Sequence, residues 1–214
     1  MKPSVPRMPV LPDPNGPAEL QDGLEDLETY DDLTLTGGAL AAAAGVTLKR
    51  AHLTYVGLND GFFRQLELID ARLTNCNLSN AEWPRASATR LLLEDCRLTG
   101  FKPVAARFDH ARFVACHARY AIFENVIFRH ARFEQCLLAD TSFKGADLSG
   151  VVFADCDLTN ATFKGAKLAG TDFRTSRIEA SQIALDELRG ALISPLQAIA
   201  LLGSRTGAVV SDEA

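Results

Sequence analysis

An all-β solenoid of stacked, four-sided coils is the fold this sequence predicts, and three observations predict it. Large apolar residues recur every five positions, as in Leu148, Phe153, Leu158, Phe163, Leu168 and Phe173. A small residue stands two positions before each of them: Ala146, Val151, Cys156, Ala161, Ala166 and Thr171. The five cysteines, Cys76, Cys96, Cys116, Cys136 and Cys156, lie 20 residues apart and all occupy that small position. An amphipathic helix needs apolar recurrence near 3.6 and an ordinary strand near 2, so neither fits. A fixed short period, held without a frame shift from Leu48 to Ile178, is the mark of stacked coils.

Twenty residues are four fives, so each coil has four sides and the cysteines form a ladder up one of them. Phe113, Phe133, Phe153 and Phe173 make a second column, and Phe123, Phe143 and Phe163 a third. Coils stacked at the inter-strand spacing of about 4.8 Å give a rod of about seven coils and roughly 34 Å. No coil buries its inner face alone; neighbours make one continuous core.

The pentads Ala146-Asp147-Leu148-Ser149-Gly150 and Ala161-Thr162-Phe163-Lys164-Gly165 resemble those of the pentapeptide repeat proteins. The resemblance covers about two thirds of the chain and implies a right-handed quadrilateral parallel β-helix. It is far more specific for fold than for function.

Taken in order, residues 1–32 form an acidic, proline-rich tail. They hold six of the nine prolines and eight acidic residues against Lys2 and Arg7, a composition that does not order itself. An acidic arm covering the first coil or a basic partner is the sharper alternative. The start lacks an apolar stretch of signal-peptide length, and no apolar run reaches the roughly 18 residues of a membrane span. A cytoplasmic protein without membrane contact is the expectation. Residues 33–47 are a transition: Leu35 and Leu40 are out of frame with Leu48, and either a capping helix or an irregular first coil would protect the open end of the rod.

Residues 46–185 are the β-helix. Its middle is least regular: Ala88, Pro103 and Ala118 replace a large residue, Trp83 overfills one position, and Phe101 beside Pro103 reads as a volume-conserving swap. Pro103 should also cost that side a ladder hydrogen bond. The cysteines all point one way, without histidines at their level, and read as buried small hydrophobes with neither disulfides nor metal. His52, His110, His117 and His130 fall at outward positions with no nucleophile at a catalytic spacing, and no phosphate-binding glycine loop is present. The reading is a non-enzyme with no cofactor.

Surface charge carries what functional information remains. Residues 33–182 hold 18 Lys/Arg and 15 Asp/Glu, whereas the whole chain is at −5. Arg90, Arg107, Arg112, Arg129 and Arg132, with His110 and His130, should share a basic interaction edge. Glu94, Asp95, Glu134, Asp155 and Asp157 should cluster on an acidic edge near the cysteine ladder.

Residues 186–210 should close the rod. Ser194 reads as an N-cap with Pro195 at the first helical position, Leu196 to Leu202 as the helix and Gly203 as its stop. Val209 and Val210 read as a short strand. Leu192, Leu196, Ile199 and Leu202 exceed what a cap needs to cover and predict a homodimer through this segment. In the family a helix of this kind, with a pair like Gln197-Ala198, closes the β-helix and joins two rods. The resemblance also implies, for quinolone-resistance members, imitation of DNA and binding to DNA gyrase. Those rods are strongly anionic and this one is slightly cationic. A protein-binding scaffold therefore ranks ahead, with gyrase or another topoisomerase its best-named partner and no nucleic-acid contact.

Overall fold

The computed structural model describes residues 5–10 and 23–206. From Arg50 to Gly170, every fifth residue has a positive φ. These left-handed residues turn the corners, and the residues between them form the sides. Four strands span two sides at once: β4 (Thr47–Thr54), β6 (Glu67–Thr74), β7 (Ser87–Glu94) and β8 (Arg107–Val114). The other strands are one side long: β1 (Thr29–Asp31), β2 (Thr34–Thr36), β3 (Ala42–Ala44), β5 (Phe62–Arg64), β9 (Ile127–Arg129), β10 (Arg132–Glu134) and β11 (Val152–Ala154).

All pairing is parallel. The main sheet runs β1-β4-β6-β7-β8-β10-β11, with β2 on β4 and β9 on β8, and β3 pairs with β5. Thr47, Glu67, Ser87, Arg107, Ile127, Asp147 and Lys167 stack as seven levels joined by six 20-residue steps. Among the described residues the architecture is a parallel β-solenoid with one helix, α1 (Pro195–Thr206), after its last coil.

Inward positions make the core. Phe113, Phe133 and Phe153 stack on one another and on Phe173, with centroids 4.4, 5.1 and 5.2 Å apart and planes within 12°. Phe123, Phe143 and Phe163 stack at 5.3 and 5.2 Å. The columns meet edge to face, as Phe143 does with Phe153 at 5.7 Å, the offset that the ring quadrupoles favour. In the irregular middle, Phe101 is fully buried and sets its ring edge-on against Trp83 at 5.0 Å. The backbone N–H of Trp83 donates to Lys102 O and that of Phe123 to Ser142 O; Pro103, between them in that column, has no N–H to give.

Five buried thiols line another side. Each Sγ–H of Cys76, Cys96, Cys116 and Cys136 donates to a carbonyl 23 residues upstream, at 3.3 to 3.5 Å. Neighbouring thiols of the ladder, and burial, push the Cys76, Cys116 and Cys156 thiols up.

The N-terminal region departs from the sequence-based frame. Thr29 pairs with Thr47, Thr34 with His52 and Ala39 with Gly57, a step of 18; Ala42 pairs with Phe62, a step of 20. The first coil is thus two residues short between Ala39 and Ala42. That shortage puts Leu35 opposite Leu53 and hydrogen-bonds Leu40 beside Leu58, so both fill the ordinary inward columns. The residues assigned to a transition form this irregular coil, and it starts inside the stretch read as a tail, at Thr29. Residues 1–4 and 11–22, half of that tail, lie outside the described residues.

At the other end the ladder reaches Leu192, paired with Asp172. Ser194 Oγ accepts from Gln197 N–H at 3.2 Å, and Gln197 Oε1 accepts from Ser194 N–H at 2.7 Å, a reciprocal capping box. Gln197 Nε2 also donates to the carbonyls of Phe173 and Ser176, at 2.7 and 2.6 Å, satisfying acceptors that the last coil leaves open. The helix does not stop at Gly203 but continues to Thr206. One glycine costs a helix only about 1 kcal/mol, too little to end it. Val209 and Val210 lie outside the described residues.

Candidate functional site

Outward residues on the β4 to β11 sheet form charge ladders, because i and i+2 of a strand share a face and i and i+20 are neighbours across strands. One ladder runs up the corner between the first two sides. Asp32 and Arg50 pair at 2.6 and 2.8 Å. Asp70 and Arg90 do the same at 2.5 and 2.7 Å. Arg90 holds the nearly buried Asp70 carboxyl below its usual range, against the opposing effect of burial.

The next two corner residues are His110 and His130, whose rings stack at 4.5 Å and 12°. His130 Nδ1 lies 3.0 Å from Asp109 Oδ1, and His110 Nε2 lies 4.0 Å from the same oxygen. Burial holds the His110 imidazole below its ordinary pKa, with Asp109 pulling the other way. Outward stacking of the two rings follows from the sequence. Their convergence with Asp109 does not, because the carboxylate belongs to a neighbouring column and is brought round by the left-handed corner.

The predicted basic edge lies on β7 to β10, but its members are not equivalent. Arg90 is paired with Asp70, Arg112 with Glu134 at 2.6 Å, and Arg132 with Glu134 at 3.3 Å. Arg107 and Arg129 are exposed and make no ion pair among the described residues. The predicted acidic edge is not a separate surface. Glu94, bound to Arg72 at 2.7 Å, and Glu134 sit on the arginine-bearing side, two positions from outward neighbours of the same strand. Asp95 and Asp155 occupy the next corner, and Asp157, hydrogen-bonded to Thr159, lies beyond it. On the arginine-bearing face, Glu94 and Glu134 are therefore interlocked with the basic residues, while Asp95, Asp155 and Asp157 flank the cysteine ladder.

A segment of the chain already lies on this surface. Arg7 N–H donates to His110 Nδ1 at 3.1 Å, and Val10 N–H to Asp70 Oδ1 at 3.0 Å. Arg112 Nη1 approaches Met8 Sδ at 3.1 Å, and Pro6 is buried. Residues 5–10 cross the basic edge, while the later part of the tail lies on the first coil: Leu24 packs against the core and Asp26 Oδ1 accepts from Ala44 N–H at 2.7 Å. Around the rod, Arg119 lies 5.3 Å above the Tyr120 ring and pairs with Asp140 at 3.1 Å, next to exposed Leu137. Sequence reading did not single out that patch.

A family model described as a pentapeptide repeat region matches residues 66–143 and 126–197, more than half of the sequence. The chain is a pentapeptide repeat protein. Among solved pentapeptide repeat structures, it is similar to HetL, involved in heterocyst differentiation regulation in the cyanobacterium Nostoc sp. strain PCC 7120. That match has 19% identity and a TM-score of 0.53 over 78% of this chain and 85% of HetL. Full-length QnrB1, a plasmid-mediated fluoroquinolone resistance protein, matches at 21% identity and TM-score 0.47, covering 85% of this chain and 100% of QnrB1. Rfr23 from the cyanobacterium Cyanothece 51142 matches at 19% identity and TM-score 0.18 over 72% and 90%. No curated protein matches the sequence. At 19% identity the likeness to HetL bears on the fold alone. No described helix is long and apolar enough to cross a membrane.

Proposed function

We propose that this pentapeptide repeat protein is a non-enzymatic protein-binding scaffold that works as an end-to-end dimer. The interlocked charge ladder carries the reading. Stacked rings fill the core, with a gap of about 10 Å³ beside Trp83. The specific chemistry of the chain is therefore on the outside, held in register by the sheet. Fixed charges of both signs recognise a partner by complementarity, which sets specificity and encounter rate more than affinity. Exposed Arg107 and Arg129 favour an acidic contact surface on that partner. A mixed ladder fits docking of a protein better than imitation of anionic DNA.

Two copies would meet at the C-terminal end. Leu196 is 78% exposed, Ile199 42% and Leu192 38%, an apolar surface larger than one cap requires. The Leu202 side chain lies outside the described residues. A two-fold contact sets the same patch against itself, so one polar substitution acts twice. Ile199→Glu should give a folded monomer, with β-type circular dichroism retained and sedimentation mass halved; a wild type that already sediments as a monomer rejects the dimer.

DNA gyrase is the partner to test first, on family membership. Supercoiling by purified gyrase should change when the protein is added, with and without a quinolone. Loss of that change in Arg107→Glu/Arg129→Glu would assign the contact to the basic edge. No change with wild type rejects gyrase.

A further inference from the structure

We propose that Asp109, His110 and His130 form a site for a divalent transition-metal ion of the zinc type, and that its occupation displaces the N-terminal arm from His110. One donor atom from each residue lies within 4.8 Å of the other two. His130 Nδ1 and Asp109 Oδ1 are 3.0 Å apart, and His110 Nε2 is 4.0 Å from that oxygen. Donors around a tetrahedral ion bonded at about 2.1 Å stand roughly 3.4 Å from one another, so small side-chain shifts close the site. Two imidazoles and a carboxylate suit zinc, nickel or copper, whereas magnesium and calcium take oxygen shells.

The backbone supplies the preorganisation. His110 and His130 are consecutive residues of one corner column, with φ 53° and 50°, so both side chains leave the rod in the same direction. Their near-parallel rings show the result. The neighbouring Arg90 charge is already matched by Asp70. Three protein ligands on a solvent-facing corner leave the fourth position to water.

The arm enters through the tautomer of His110. Its Nδ1 accepts the Arg7 N–H, so the proton of the neutral ring resides on Nε2. A metal at Nε2 moves that proton to Nδ1, where it faces the Arg7 N–H and the hydrogen bond is lost. At His130 the metal takes Nδ1 and the ring proton moves to Nε2. Each imidazole keeps one proton, and no other reactant is needed.

Cobalt(II) absorption and zinc(II) calorimetry on the full chain test the site. One ion should bind per chain. His130→Ala and Asp109→Ala should each weaken binding about tenfold or more, the loss expected when a ligand or its support is removed. His117→Ala, an exposed histidine in another column, should bind as wild type. Circular dichroism would confirm that each variant is folded. No binding to wild type, or unchanged binding by His130→Ala, overturns the site. Tryptic cleavage after Arg7 should accelerate several-fold with zinc and return to its original rate with a chelator, while cleavage of a control peptide stays constant. Unchanged cleavage at full occupancy overturns the competition with the arm.

Discussion

At the scale of single residues, the corners set the rules. Of the 25 positions from Arg50 to Gly170 that hold a positive φ, 14 are Asn, Asp or Gly, the residues that tolerate this conformation best. They mark just over half of the corners; the other 11 hold Arg, Tyr, Gln, Ala or His and are located only through the five-residue frame of the Leu and Phe positions. The inward positions are legible for a simpler reason: they must be apolar and of fixed size. Phe143 lies between Phe123 and Phe163 in one stack. Phe143→Asp should abolish cooperative melting, since an unpaired buried carboxylate costs several kcal/mol, comparable with the stability of a whole domain. A soluble variant with a sharp transition would contradict the packing. At the corner, Arg90 depresses the Asp70 pKa in the folded state. The stability this adds is fully present above the ordinary carboxylate pKa of about 3.9 and is lost as pH falls through the lower folded value. Denaturation curves should therefore show wild type ahead of Asp70→Asn near neutrality, with the difference shrinking below about pH 4.

Elements are legible where local chemistry decides them. Ser194 and Pro195 mark the start of α1 because both act within one turn of the chain. Its end is not marked, because Gly203 is only a weak breaker. Pairing at distance is the harder case. Arg72 with Glu94 and Arg112 with Glu134 are 22 residues apart, a diagonal that becomes visible only when the sequence is laid out in rows of 20. Grouping charges by sign alone separated partners that are bonded to each other. The first coil was obscured by two missing residues, which moved Leu35 and Leu40 out of frame while leaving them in the core columns. The cap offers an element-level test. Gln197→Ala removes a capping-box partner and leaves the Phe173 and Ser176 carbonyls without their amide donor. Urea denaturation should show a loss of about 1–3 kcal/mol, the usual penalty for such groups. No change would mean that water replaces the amide at no cost.

For the molecule as a whole, the 20-residue register makes length a quantised property. Each level touches only the levels beside it, so stability adds level by level. Duplicating residues 126–145 should extend the rod by about 4.8 Å with its faces unchanged. Small-angle scattering would measure the extension, and a retained thermal midpoint would confirm the fold. Inserting five residues instead would carry everything downstream through a quarter turn. The two-residue deficit near Ala39 does neither, since one corner absorbs it and the columns resume at Ala42. Such a scaffold can change its reach only in whole laps, so any two contact points on one face are separated by a fixed multiple of a single spacing, like marks on a ruler.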